Sequence, residues 1–425
     1  MTNTYLPHVG GVARSVAAFS AAYRERGHAV LVAAPEFEGS DPEERDVIRV
    51  AALQNFNGSD FSVMLPDNGV LDDAVAQFRP DIIHAHHPFL VGASAQRLAA
   101  MHDLPLVFTH HTMYEQYTHY APGDSPLLKR FVANLSTDFA NLAREVFAPS
   151  ESIARVLAAR GVTSPITVVP TGLRRTAFDS GNRVGMRAAL GFPRGAFVVG
   201  HVGRLAQEKN LPFLARAVCT FLARNPRAYF LVVGAGPAHG EIAAIARRAA
   251  VADRVLLTGA LAHPLLESAY RAMDVFAFAS CSETQGMVLS EAMAARTPVV
   301  ALDAPGVRDV VTDGYNGRLL DDADEQTFAA ALAWVAASTS NARRALARHA
   351  LSTAKACALD VCAEHALARY RALLTAPATP RAAYQDQWRQ TMQRIGAEWA
   401  VLKGLADAAG RALTRARPHG EEHAP

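Results

Sequence analysis

No stretch of the 425-residue chain approaches the roughly 18 consecutive apolar residues of a membrane span, and no charged-then-apolar leader stands at its start. The expectation is a cytoplasmic chain, neither secreted by that route nor membrane-spanning, whose membrane contact, if any, is peripheral. Cysteine is scarce. Cys219, Cys281, Cys357 and Cys362 have neither zinc-ligand nor CxxC spacing, which points to reduced thiols and assigns them no metal and no disulfide. An excess of one charge is also missing: 42 Lys and Arg against 40 Asp and Glu leave a formal charge of +2. That excludes a general basic field for nucleic acid but leaves a local patch for anionic lipid open. What the chain has instead is core material, with 50% hydrophobic and 19% charged residues, enough for two domains of ordinary size.

The order of elements is that of an α/β protein. Short apolar runs at Ala29 to Ala34, Ile48 to Val50, Asp81 to Ala85, Leu106 to Thr109 and Val146 to Ala148 alternate with helical stretches, the first from about Ala13 to Arg26. Such alternation predicts a parallel sheet covered on both faces. The series ends at Ile166 to Gly172. The next two dozen residues, rich in Arg, Gly and Ser, read as a linker, after which the pattern restarts with strands at Phe197 to Val202, Tyr229 to Val233, Val255 to Gly259, Asp274 to Ala279 and Val299 to Ala301. The domains are therefore placed at 1–172 and 173–354. A helix of about 355–376 is expected to return to the first domain, and a helical, polar tail occupies 377–425, its seven basic residues on a solvated helix. Two successive sheets whose strands end in loops place a ligand in the cleft between them.

The stretch Ser282 to Arg296 reads as a loop and then a helix after a strand, with Glu283 and Glu291 flanking the helix start. Eight residues of helix separate the two carboxylates by about 12 Å, whereas a glycosidase pair sits about 5 to 9.5 Å apart. They are therefore not a hydrolytic pair. They suit the two ends of an extended ligand, one acid on sugar hydroxyls and the other on ribose hydroxyls, with the helix-start backbone of Gln285, Gly286 and Met287 suited to a diphosphate between them. Two exposed acids on a surface helix are the competing explanation, and Glu36 and Glu44 repeat the spacing in a polar loop.

Arg204 and Lys209, in Gly203-Arg204-Leu205-Ala206-Gln207-Glu208-Lys209-Asn210, put two cations beyond the first strand of the second domain, suited to a leaving diphosphate or else simply exposed. Gly234-Ala235-Gly236-Pro237 lacks the GxGxxG spacing and reads as a tight turn. Gly10-Gly11 precedes a helix, where it either admits a ligand or serves an ordinary loop. Five histidines gather at Asp81 to His87 and Thr109 to Thr112, and read as lining a cleft, without the acid or sulfur partners of a zinc site. The aromatic loop Met113 to Tyr120, with Tyr114, Glu115, Tyr117 and Tyr120, either packs on its own helix or shapes an acceptor site.

Gly10-Gly11-Val12, His111-Thr112, Gly203-Arg204 with Glu208-Lys209-Asn210, Gly234-Ala235-Gly236-Pro237 and Glu283-Thr284-Gln285-Gly286 through Glu291-Ala292-Met293-Ala294 occur in one order over roughly residues 3–375. In that order they resemble the retaining, nucleotide-sugar-dependent glycosyltransferases of family 4. The resemblance implies the GT-B fold, two facing Rossmann-like parallel-sheet domains with a deep interdomain cleft. It also implies Arg204 and Lys209 on the donor diphosphate, Glu291 on the ribose and Glu283 on the transferred sugar. Gly11 would let the first domain close on the phosphates, and His111 would touch the sugar near the reacting centre. No cofactor or metal is implied: the nucleotide sugar is a substrate, and the acceptor hydroxyl attacks on the face the leaving group departs from.

Phe108 to Tyr120 together with Glu283 to Gly286 looks like the bacterial glucosyltransferases of diacylglycerol. A hexose, glucose from UDP-glucose, passed to a membrane lipid at the inner membrane face is the expectation. Lys129 and Arg130 on the next helix are placed to meet anionic lipid, at about 1 kcal/mol each. The alternatives are a soluble or polysaccharide-intermediate acceptor, a nucleotide-sugar epimerase or phosphorylase, and a non-catalytic nucleotide-sugar-binding relic. The family's opening apolar strand has no counterpart before Thr2 to Pro7, so either the start is assigned too late or the first sheet lacks a central strand and leaves ladder groups unpaired.

Overall fold

The computed structural model describes residues 1–376 apart from 9, 42–43, 54–62, 65–68, 117, 119–124 and 281. The tail expected at 377–425 lies outside the described residues. In the second half, the apolar runs form one all-parallel sheet of six strands: Phe197–Val202, Ala228–Val233, Val255–Leu257, Val275–Phe278, Val299–Leu302 and Gly317–Leu320. Counted along the chain, they lie in the order 3-2-1-4-5-6. The central strands are buried on both faces because helices cover both. Leu211–Arg224 and Glu325–Ala337 build one core with the sheet, while Leu265–Ala272, Met287–Ala294 and Ser340–Ala356 build the other. The strand order reverses between Phe197–Val202 and Val275–Phe278, which are hydrogen-bonded neighbours. A crevice opens at the carboxyl ends of two such strands.

The first half carries a parallel sheet in two pieces, Val32–Pro35 with Val47–Val50 and, separately, Ile83–Ala85, Leu106–Thr109, Glu145–Ala148 and Ile166–Val168. Met1 and Thr2 stand between them. The Met1 amino group donates to His84 O (2.7 Å), His86 N donates to Met1 O (3.0 Å), and Thr2 N donates to Ala33 O (2.9 Å). Bonds to the residues on either side of Ala85 are the parallel-ladder pattern. Beside this bridge lies a cavity of about 360 Å³, lined in part by Val16, Phe19, Val30, Ile83, Phe147 and Tyr370.

Two expectations are corrected. Residues 173–195 are no linker: Thr176–Asp179 and Arg183–Ala189 are short helices, and Leu173, Phe178, Met186 and Phe192 enter the second domain's core. The arginines that gave this stretch its polar look are staples. Arg183 and Arg187 each place a guanidinium 2.6 Å from Asp274, and both also donate to main-chain carbonyls. The helix expected from Lys355 begins at Leu359, and Lys355 belongs to the preceding helix. The break at Cys357 and Ala358 exists because that backbone pairs elsewhere. Leu173 N donates to Cys357 O (2.9 Å), and Leu359 N donates to Leu173 O (3.0 Å). The two crossings between the halves thus run side by side, so close that a Cβ on Gly172 would sit 2.4 Å from Leu359 Cα. Beyond this point Leu359–Thr375 packs on Gly11–Arg24 through Ala22, Ala363, Tyr23 and Tyr370.

Candidate functional site

The crevice at the strand-order reversal is furnished by the loops that follow its two strands. After Phe197–Val202 come Gly203 and Arg204, then a short turn at Gln207–Lys209; after Val275–Phe278 come Glu283 to Gly286 and the helix Met287–Ala294. Lys209 Nζ lies 2.5 Å from Glu283 Oε1, so the two loops meet in an ion pair with both side chains largely buried. Arg204 pairs with Glu208 on its own loop at 2.6 Å. Gly286 is the N-cap of the helix at φ 69°, a left-handed conformation that favours glycine, and no side chain caps the helix. The first N–H groups of that helix therefore have no intrahelical acceptor. Glu291 is buried one turn further on. Its Oε2 accepts from the Tyr270 hydroxyl (2.6 Å), and burial beside that carboxylate pushes the Tyr270 phenol well above its ordinary value.

The first domain closes over this group. Its helix Gly11–Arg24 also starts without a side-chain cap, and a Cβ on Gly11 would lie 4.0 Å from Met287 Sδ, so two uncapped helix starts converge. Both direct positive partial charge at one place. Arg14, in the first turn of that helix, reaches Glu291 Oε1 at 3.1 Å. Opposite them His111 follows the strand Leu106–Thr109. Its carbonyl accepts from Thr284 Oγ1 (2.7 Å), and its Nε2 lies 2.9 Å from His86 Nδ1. The structure thus gathers Gly11, His111, Lys209, Glu283, Gly286, Met287 and Glu291 around one crevice, with Arg204 at its loop. The amide of Gln285 is turned to other use, bonded at both ends to the backbone of Thr171.

Residues 9–175 match the family model described as Glycosyltransferase Family 4, and residues 196–338 match that described as Glycosyl transferases group 1. A GDP-mannose-dependent alpha-mannosyltransferase of Mycobacterium tuberculosis is 30% identical over 332 residues, covering 75% of this chain and 82% of its own. The chain belongs to glycosyltransferase family 4. An alpha-monoglucosyldiacylglycerol synthase of Streptococcus pneumoniae is 28% identical over 324 residues, 75% of this chain and 74% of that one. The crystal structure of Anabaena HepE in complex with UDP superposes with a TM-score of 0.70 at 19% identity, covering 87% of this chain and 98% of that chain. That likeness is one of fold: two facing Rossmann-like domains, the GT-B arrangement.

In this family 4 glycosyltransferase the remaining motifs have structural explanations. Gly234 and Gly236 lie so near the neighbouring loop that a Cβ would come within 1.8 Å of Gly203 O and 2.4 Å of Leu205 O. They form a tight turn that props the Gly203-Arg204-Leu205 loop. His84, His86, His87, His110 and His111 are packed together, and burial holds all five below the ordinary imidazole value, His111 at about 4 and His87 and His110 at about 3. They are neutral at pH 7. Among the described residues no group of three or more His, Cys, Asp or Glu is placed to hold a metal ion.

Of the acceptor-side residues, Tyr114 packs edge-on against Phe89 and His110 on a turn, Tyr114–Gln116, that lies on the helix Pro126–Ala140. Glu115 pairs with Arg160 at 2.6 Å. Tyr117 and Tyr120 lie outside the described residues. Arg14 and Tyr270 went unremarked in the sequence, and Thr284 stood there only as a member of a motif, with no role of its own. Of the first two, Arg14 alone left a trace there, since a cation in the first turn of a helix opposes the helix dipole and needs another partner.

Proposed function

We propose that this enzyme moves a hexose, glucose from UDP-glucose, to a hydroxyl of a membrane lipid such as diacylglycerol, with retention at the anomeric carbon. The observation that carries the donor half is the convergence of two uncapped helix starts, at Gly11 and Met287, on the crevice that holds Lys209, Glu283 and Glu291. In this reading the second domain, 173–354, holds the donor. Arg204 and Lys209 take the diphosphate, Glu291 the ribose and Glu283 the sugar, with the backbone at Gln285, Gly286 and Met287 beside the phosphates. The first domain, 1–172, brings the acceptor and His111. HepE, which shares the fold, has been crystallised with UDP and with UDP-glucose.

The chemistry asks for positioning and charge more than for a nucleophile. A bond forms between the acceptor oxygen and the anomeric carbon while the bond from that carbon to the phosphate oxygen breaks. The acceptor proton passes to the departing phosphate on the same face. Negative charge grows on the diphosphate, where two cations and two helix starts stabilise it. No cofactor enters. The lipid acceptor is supported by the likeness to the pneumococcal synthase and by Leu127, Lys129 and Arg130, all exposed at the start of the helix Pro126–Ala140, beside the Tyr114–Gln116 turn. Among the described residues no helix is long and apolar enough to cross a membrane, so this reading puts the enzyme peripherally at the inner face. A soluble acceptor is the second reading, favoured by the likeness to a D-inositol 3-phosphate glycosyltransferase of Segniliparus rotundus, 29% identical over 385 residues.

The test is a screen of nucleotide sugars against diacylglycerol vesicles and soluble sugars, with products analysed by mass and anomeric configuration by NMR. UDP-glucose and diacylglycerol are expected to yield the α-glucosyl lipid. Product on soluble sugars alone would favour the second reading, donor isomerisation without acceptor would make the protein an epimerase, and donor binding without turnover would make it a relic.

A further inference from the structure

The loop that carries Glu283 is tied to the first domain by four hydrogen bonds, all of them on two residues. Thr284 Oγ1 donates to His111 O (2.7 Å), and Thr284 O accepts from Ser150 Oγ (2.8 Å). Gln285 Nε2 donates to Thr171 O (2.9 Å), while Gln285 Oε1 accepts from Thr171 N (2.7 Å). The Gln285 amide thus pairs with Thr171 as a neighbouring strand would, at a place where the side chain is 5% exposed. Thr171 directly precedes the paired crossings at Gly172 and Leu359. From its own side the loop is backed by Gly306, where a Cβ would lie 2.6 Å from Thr284 C. Pressed from behind and bonded in front, the loop has little freedom to move relative to His111.

We propose that Thr284 and Gln285 form a clasp that sets the distance between Glu283 and His111, making both of them positioning residues for sugar transfer. The inference rests on the reading of Glu283 and His111 as the groups that hold the transferred sugar from opposite domains. The clasp touches neither the diphosphate cations nor Glu291. Loss of its Thr284 arm should leave nucleotide binding intact and misplace the reacting sugar, and a misplacement of about 1 Å costs on the order of 100-fold in rate.

Thr284→Val, Thr284→Ser and Gln285→Met are compared with the parent in UDP binding by calorimetry, in kcat and KM for UDP-glucose with diacylglycerol vesicles, and in far-UV circular dichroism. Thr284→Val and Gln285→Met are expected to lower kcat roughly 10- to 100-fold; for Thr284→Val, at a residue given no part in holding the diphosphate, UDP affinity should stay nearly unchanged. Thr284→Ser, which keeps the hydroxyl, is expected to recover most of the rate. A folded Thr284→Val with parental kcat, or a loss that serine does not rescue, overturns the clasp; should valine at 284 not fold, Gln285→Met decides by the same criterion. Glu283→Gln and His111→Ala run alongside. If they abolish turnover while the clasp variants do not, only the clasp falls; if they leave turnover intact, the reading beneath it falls as well.

Discussion

Lys209 and Glu283 come from loops 74 residues apart in sequence and meet at 2.5 Å. Each is a counterion to the other. In the proposed reaction the lysine exchanges a carboxylate for the phosphate that leaves, so its charge matters most when that phosphate carries most charge. Lys209→Ala is therefore expected to reduce kcat by well over 10-fold, the loss lying in transition-state stabilisation more than in donor KM. Steady-state rates with saturating donor check it, and a near-parental rate would remove Lys209 from the reaction. Lys209, Glu283 and Glu291 stood out in the sequence through the motifs that resemble family 4, since their position alone left exposed surface charges equally open. The pairings of Arg14 and Thr284 were not legible there. Their partners, Glu291 and the His111 carbonyl, lie 277 and 173 residues away, and no local pattern announces a pairing across that interval.

The helix Met287–Ala294 shows why the strand-loop-helix unit was easy to read. Leu289, Ala292, Met293 and Ala294 are buried, so the helix is apolar on nearly every side, as an interior helix must be. The stretch after Gly172 was misread for the opposite reason. Its arginines and glycines look solvated, but Arg183 and Arg187 neutralise Asp274, whose Oδ2 also accepts from Val198 N at 2.8 Å. One largely buried carboxylate thereby pins two turns of helix beside the starts of the two central strands. Asp274→Ala would leave two guanidinium groups facing each other without a counterion; removing one partner of a fully buried pair costs about 3 to 5 kcal/mol, and the 40% exposure of Arg183 brings the expected loss here to about 2 kcal/mol. Urea denaturation should register a loss of that order, and a change below about 1 kcal/mol would show that solvent already screens the group.

The protein as a whole carries a pH dependence from its histidines. Burial lowers His87 and His110 to about 3 and His111 and His201 to about 4, against 6.5 in the unfolded chain. Below pH 6.5 the unfolded chain takes up protons that the folded chain refuses, so stability rises with pH in this window. The contribution is fully present above about pH 7 and declines as the pH falls from 6.5 towards 4, by about 1.4 kcal/mol per pH unit for each histidine. Urea midpoints at pH 7.5, 6 and 5 should fall steeply in that order. A flat profile down to pH 5, where only carboxylates remain to titrate, would show that these imidazoles are solvated.

By itself the sequence determined the class of fold and the recurrence of the α/β pattern, because hydrophobic period and glycine placement are local signals that need no partner. The tertiary structure decided what no local signal carries. It turned the stretch after Gly172 into a packed corner and broke the last helix where the two crossings pair. It also filled the centre of the first sheet with Met1 and Thr2, and it bonded the Glu283 loop to His111 and Thr171 across the cleft. Each depends on groups distant in sequence satisfying one another's hydrogen bonds and charges, and only the folded chain brings them within reach.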